Sequence, residues 1–460
     1  MSRTKIVCTI GPASAKEAVQ KRMVKAGMNV ARLNFSHGTH EQHQGFVLSL
    51  RRVARELGVP LAIMQDLQGP KIRIGIIPGD ALSLRTGDTV HFSPRTKAYA
   101  EADRLVPVTY GGFARDVRAG DRVLIDDGLI ECSVVRVQNN IVAARVVTGG
   151  NVSSNKGINL PDSAVRLSAL TAKDQKDVAF GVREEVDFIV LSFVSSAEDI
   201  HKLRDLIKRE EKRQKKKPLG IQVVAKIERA DAIHRMDEII EASDVIMIGR
   251  GDLGVEIPLE EVPIRQKEIA HKSRCAGKPV IVATHMLESM RQNVRATRAE
   301  ISDVANAVID HADAVMLSAE SASGKFPVKA VETLTKVIEE TEKSVYDNVR
   351  PDELCVDSTD AAIAKQIHLA FEGGGVDGIV TGTQFGDVAM LINRHRPEVP
   401  LFIAANTELE RNQLAMKWGA RPFMLKKART TDVFEREARK QLTELKWIKK
   451  TDRLLFVTSV

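Results

Sequence analysis

Hydrophobic positions along the chain follow two alternating rhythms. Short β-branched runs, suited to strands covered on both faces, alternate with amphipathic stretches of helical period. The first strands are predicted at Lys5–Ile10, Met28–Asn34 and Leu61–Asp66, with helices over Lys16–Lys25 and His40–Glu56 between them. At Gly69-Pro70 the helical period vanishes, and the chain to Arg166 reads as short alternating strands with turn signals at Asp126-Asp127-Gly128 and Gln138-Asn139-Asn140. Helical period returns at Leu170-Thr171-Ala172-Lys173-Asp174, where Thr171 has the character of an N-cap.

Five further strands are predicted at Phe188–Ser192, Ile221–Lys226, Val245–Ile248, Val280–Thr284 and Ala314–Leu317. With the first three they make eight, the number that a closed (β/α)8 barrel requires and an open doubly wound sheet does not. Periodicity lapses again over Asn348–Ser358. A helix from Asp360, strand Gly378–Thr381, helix from Asp387, strand Leu401–Ala404 and helix from Glu408 follow, with apolar segments at Pro422–Leu425 and Leu454–Thr458. The expected fold class is α/β: a (β/α)8 TIM barrel over 1–69 and 168–345, an inserted all-β domain over 70–167, and a C-terminal α/β domain over 346–460.

Composition narrows the setting. The chain has 460 residues, 43% hydrophobic and 28% charged, enough to bury several cores. It contains no apolar run of about 18 residues, and Met1-Ser2-Arg3-Thr4-Lys5 leads directly into a strand, so a cytoplasmic protein with no membrane partner is expected. Lys and Arg total 68 against 61 Asp and Glu, a surplus of +7 that favours anions without implying nucleic acid. The basic run Lys208 to Lys217, ending at Pro218, reads as the solvated C-terminal end of a helix. Cys8, Cys132, Cys275 and Cys355 have no zinc or redox spacing and are expected to pack.

A barrel places its active site at the C-terminal ends of its strands. Polar residues interrupt the apolar runs there: Arg32, Asn34 and Ser36; Asp66; Ser192; Lys226 and Glu228; Arg250 and Asp252; Thr284; Ser318 and Glu320. Glu228 and Asp252, on neighbouring strand ends, could hold a divalent ion with open positions for substrate oxygens. Arg32, Arg73 and Lys226 supply a cationic surplus suited to a phosphate ester. Lys226 follows an apolar strand and is expected beside Glu228, either as chemistry or as a structural ion pair. Gly249-Arg250-Gly251-Asp252-Leu253-Gly254 would let backbone N–H groups approach an anion, or simply permit a tight βα turn. Thr284 offers a hydroxyl to a substrate or to the next helix as a cap, whereas Met286, Leu287 and Met290 read as core.

These residues sit in segments that resemble pyruvate kinases along essentially the whole chain: TKIVCTIGPAS from Thr4, GMNVARLNFSHG from Gly27, GPKIRIG from Gly69, NKGINLP from Asn155, AKIERADA from Ala225, GRGDLGVEIP from Gly249, ATHMLESM from Ala283 and TRAEISDVANAV from Thr297. The resemblance implies phosphoryl transfer from phosphoenolpyruvate to ADP, giving ATP and pyruvate. It implies catalytic roles for Lys226, Arg32 and Thr284, with Arg32, Lys226, Gly251, Asp252 and Thr284 binding substrate and Glu228 and Asp252 binding Mg2+ or Mn2+. Nucleotide contacts carry over to Asn34, Ser36, His37, Arg73 and Lys156, the last implying that the inserted domain is a β-barrel lid. A homotetramer is the family's common assembly.

Two segments depart from the family. Many members carry Asp-Thr-Lys-Gly-Pro-Glu at the third strand's end and bind K+ through positions equivalent to Asn34, Ser36, Asp66 and Leu67; here the segment is Asp66-Leu67-Gln68-Gly69-Pro70-Lys71. The Lys71 ammonium can stand in for that ion, so K+ is not expected to be required. Thr381-Gly382-Thr383-Gln384-Phe385-Gly386-Asp387 replaces a hydroxyl-rich phosphate loop, and Asp387 would repel phosphate, which argues against activation by fructose 1,6-bisphosphate. Rival readings are a metal-dependent lyase or aldolase acting on pyruvate enolate, which leaves the lid unexplained, and an RNA-binding scaffold, which leaves the polar set unexplained.

Overall fold

The computed structural model describes residues 2–101, 104–163, 165–347, 375–386 and 388–458. Eight strands close a parallel barrel: β1 (Lys5–Thr9), β2 (Val30–Asn34), β3 (Ala62–Asp66), β4 (Phe188–Leu191), β5 (Gln222–Ile227), β6 (Val245–Gly249), β7 (Val280–Ala283) and β8 (Ala314–Leu317). Each strand pairs with its sequence neighbour, and β1 closes the ring against β8. Because successive residues face opposite sides of a strand, one parity fills the barrel interior and the other packs under the helices. Val7, Val30, Met64, Val190, Val224, Met247, Ile281 and Met316 form the inner core; Ile6, Leu33, Ile63, Ile189 and Ile248 belong to the outer one.

The helices begin where local chemistry directs. Thr39, Thr171 and Thr297 each cap a helix through a reciprocal box, with Gln42, Asp174 and Glu300 as third residues. The helix over Ala197–Arg213 ends within the basic run, with Lys212 and Arg213 in its last turn. Met286, Leu287 and Met290 are fully buried, as core residues should be.

Between β3 and β4 the insertion forms a six-stranded sheet in the order 158–159, 122–125, 130–138, 141–148, 89–93, 105–107, with a separate pair formed by 82–84 and 150–152. The segment around Arg73 and Ile74 lies between the two ends of this ladder, bridging Gly157 on one side and Val108 on the other. The Ile158 N–H donates to the Ile72 carbonyl at 2.9 Å and the Gly75 N–H to the Pro107 carbonyl at 2.9 Å, so the short strands Ile158–Asn159 and Leu105–Pro107 are both tied to this segment. Both foreseen turns are tight and left-handed, at Asp126-Asp127 and Asn139-Asn140.

The C-terminal sheet is parallel, in the order 420–424, 401–405, 378–382, 454–456, with apolar clusters on both faces. The predicted helix from Asp360, the aperiodic Asn348–Ser358 segment and Asp387 lie outside the described residues. This domain plugs the N-terminal end of the barrel. Met416 enters the inner core, Lys5 donates to the Ala420 carbonyl at 2.9 Å, and Arg396 grips buried Asp313 with two contacts of 2.8 and 3.1 Å. Cys8 and Cys132 are free and buried, but Cys275 is disulfide-bonded, so the expectation that it merely packs is corrected.

Candidate active site

Strand parity gathers the polar residues. Arg32 and Asn34 follow Val30, Asp66 follows Met64, Ser192 follows Val190, and Lys226 and Glu228 follow Val224, so all point into the barrel's C-terminal mouth. The chain must place charged groups at the end of the apolar lumen, and it does so in matched pairs.

Lys226 Nζ lies 2.6 Å from Glu228 Oε1, and the two residues are 9% and 1% exposed. Burial works to lower the Lys226 ammonium, yet Glu228, followed by Asp66, outweighs it and holds the group above its ordinary value. Burial, reinforced by Asp252, keeps Glu228 above the usual carboxylate range despite Lys226. The second Glu228 oxygen accepts the Phe193 N–H at 3.1 Å, and Phe193 itself is left-handed at φ +56°.

Arg32 straddles Asp66, with Nε 2.7 Å and Nη2 2.5 Å from Oδ2, and donates to Thr9 Oγ1. Ser192 donates to Asp66 and to the Leu67 carbonyl. The Leu67 side chain has the opposite parity and is buried in the outer core, so it leaves the site altogether. Lys71 reaches Asp252 Oδ1 at 2.9 Å and comes within 3.9 Å of Asp127 on the inserted domain. Burial opposes the Asp252 charge, but Lys71 and then Lys226 hold its carboxyl below the usual range.

Thr284 sits at φ +68° and His285 at +56°, a strained pairing for a β-branched residue. The Thr284 hydroxyl does not cap the helix that follows it; it accepts the Gly251 N–H at 2.8 Å and donates to its own strand's Ala283 carbonyl. Gly251 and Thr284, both expected to bind substrate, are thus bonded to each other in this structure. No glycine of the 249–254 loop is left-handed, so a tight turn does not explain them. At Gly249 the reason is space, since a Cβ there would meet Glu228 Cγ at 2.5 Å.

Asn34 accepts the Ser36 N–H at 3.1 Å, and exposed His37 offers its carbonyl to His43. Arg73 and Lys156 lie on the inserted domain, bonded to the Asn155 carbonyl and to Asp126. Geometry thus groups Arg32, Asp66, Lys71, Lys226, Glu228 and Asp252 closely, with Gly251 and Thr284 beside them.

Arg250 stands among the polar strand ends read from the sequence without an assigned role, and the parts played by Asp174 and Asn159 were not visible there. Arg250 binds the Ala283 and Thr284 carbonyls and Met286 Sδ while anchored to Asp303 at 2.7 Å. Asp174 accepts the N–H of Gly69 at the start of the insertion, and Asn159 of the insertion donates to Glu256 of the barrel at 2.9 Å. Only Arg250 had a usable signal, its place within a glycine-rich loop after a strand.

Two adjacent carboxylates, Glu228 buried and raised above its ordinary range by that burial and Asp252 half-buried, offer hard oxygen donors that fit a divalent cation such as Mg2+. The arrangement can therefore bind a phosphorylated anion between Arg32, Lys226 and a cation.

Comparison with known proteins gives the same direction. A family model described as "Pyruvate kinase, barrel domain" matches residues 1–331, and "Pyruvate kinase, alpha/beta domain" matches 360–460. The chain is 39% identical to a pyruvate kinase of Sporosarcina psychrophila over 100% of its length and 78% of that protein. It is 41% identical to one of Geobacillus stearothermophilus (94% and 73%) and 36% identical to one of Clostridium acetobutylicum (100% and 96%). A crystal structure of a pyruvate kinase from Cryptosporidium parvum matches with TM-score 0.92 at 32% identity, covering 100% of this chain and 94% of that one.

Proposed function

The chain belongs to the pyruvate kinase family and transfers phosphoryl groups between phosphoenolpyruvate and ADP; from that premise we propose how its residues divide the work. The observation that carries the assignment is Lys226, a buried ammonium paired to Glu228 at 2.6 Å at the barrel mouth. Lys226 and Arg32 receive the phosphoryl oxygens, and Lys226 stabilises the charge that spreads over them during transfer. Thr284, released from the Gly251 N–H, joins the backbone of Gly251 and Asp252 in receiving the substrate carboxylate. Its hydroxyl is also placed to relay a proton to the enolate through water.

Glu228 and Asp252 would hold the divalent ion, which would supply positive charge to the substrate oxygens. Asn34, Ser36 and His37 at the rim, with Arg73 and Lys156 from the inserted domain, contact the nucleotide. The inserted domain then acts as a lid that excludes water. The domains divide at 1–69 with 168–345, 70–167 and 346–460, and the assembly is a homotetramer in the cytoplasm. Among the described residues no helix is long and apolar enough to cross a membrane. A lyase or aldolase reading finds no support in the relatives.

Turnover does not require K+, because Lys71 supplies a fixed positive charge at the carboxylates. Arg32 already neutralises Asp66, and the Leu67 side chain is turned away. A lactate-dehydrogenase-coupled assay with phosphoenolpyruvate, ADP and Mg2+ tests the reading. Rates should persist when a bulky organic cation replaces K+, and Lys71→Glu should create a K+ requirement; collapse of the native rate without K+ refutes this.

A further inference from the structure

Every cation of the site is matched to one carboxylate: Arg32 to Asp66, Lys226 to Glu228, and Lys71 to Asp252, three positive charges against three negative. We propose that Lys71, by completing this balance, makes the site refuse a divalent cation unless the anionic substrate arrives with it. The proposal rests on the reading of Glu228 and Asp252 as the metal ligands.

A dication entering alone must take Asp252 from an ammonium 2.9 Å away and adds two uncompensated charges beside Lys71 and Lys226. Lys71 and Asp252 are half-buried and Lys226 and Glu228 are buried, so that repulsion is screened less than between charges in open water. Phosphoenolpyruvate brings about three negative charges, a phosphoryl dianion plus a carboxylate, so dication and substrate together nearly cancel. Coupling of this kind is a linkage: each ligand tightens the other by the same factor.

Lys71 is held for this role. It follows the Gly69-Pro70 entry to the inserted domain, and its Cε lies so close to Gly157 that a Cβ there would meet it at 2.9 Å. Asp127 stands 3.9 Å from its Nζ, and nearby Glu256 is engaged by Asn159, so neither displaces Asp252 as the close partner. A carboxylate at position 71 would leave two cations facing four anions, a site that attracts cations unaided.

The test titrates the full chain with Mn2+, reading the free ion by electron paramagnetic resonance, with and without phosphoenolpyruvate and always without ADP. Native protein should bind Mn2+ about tenfold or more tightly when phosphoenolpyruvate is present. Lys71→Met should bind Mn2+ alone about tenfold or more tightly than native, with a correspondingly smaller gain from phosphoenolpyruvate. Lys71→Gln, which keeps a polar stem, should follow Lys71→Met, and Lys71→Arg should follow the native chain. Equal affinity of native and Lys71→Met for Mn2+ alone overturns the coupling while leaving the metal site standing. Failure of every form to bind Mn2+, even with phosphoenolpyruvate, overturns the metal reading and the coupling together.

Discussion

Lys226 shows how one residue acquires its chemistry from burial. In water an ammonium is a mobile, hydrated charge; here it is confined against Glu228 and looks across at Asp66 and Asp252, so it stays charged and fixed. Lys226→Met removes that charge from the place where phosphoryl oxygens gather. The expected result is a fall in kcat of about a thousandfold, with a much smaller change in KM for phosphoenolpyruvate, read by steady-state kinetics. The alternative of a merely structural pair requires the opposite pattern, lost stability with normal turnover in the folded fraction.

At the scale of elements, the turn after β7 carries the strain. Thr284 and His285 are both left-handed, at a cost of order 1–3 kcal/mol each, and the turn persists because its neighbours over-determine it. Arg250 spans the Ala283 and Thr284 carbonyls from one side, and Glu320, at the end of β8, accepts the Leu287 N–H at 3.0 Å from the other. Arg250→Lys keeps the charge but cannot make the forked contact. It should lower kcat/KM for phosphoenolpyruvate by about tenfold to a hundredfold while KM for ADP moves little. Equal effects on both substrates would show that the turn is not what Arg250 holds.

At the scale of the whole molecule, barrel and C-terminal domain are joined by buried charges. Arg396→Met leaves Asp313 unpaired in the interface, and denaturant unfolding should report a loss of about 3–5 kcal/mol. Asp187, wholly buried beneath β4, is pushed up by burial to about 6 against the pull of Arg51. A carboxyl raised in the folded state stabilises fully below its unfolded pKa of about 3.8, and that contribution is lost as pH rises through about 6. The fall in Tm between about pH 4 and pH 7 should therefore shrink in Asp187→Asn, by an amount equivalent to no more than about 3 kcal/mol. By itself the sequence determined the barrel, the insertion, the third domain and the polar strand ends, because strand parity and helical period are local and survive in one dimension. Only the tertiary structure decided that Lys71 bonds to Asp252, that Gly249 makes room for Glu228, and that Thr284 takes the Gly251 N–H. Those outcomes depend on which side chains from distant segments compete for one small volume, and no periodicity along the chain records that competition.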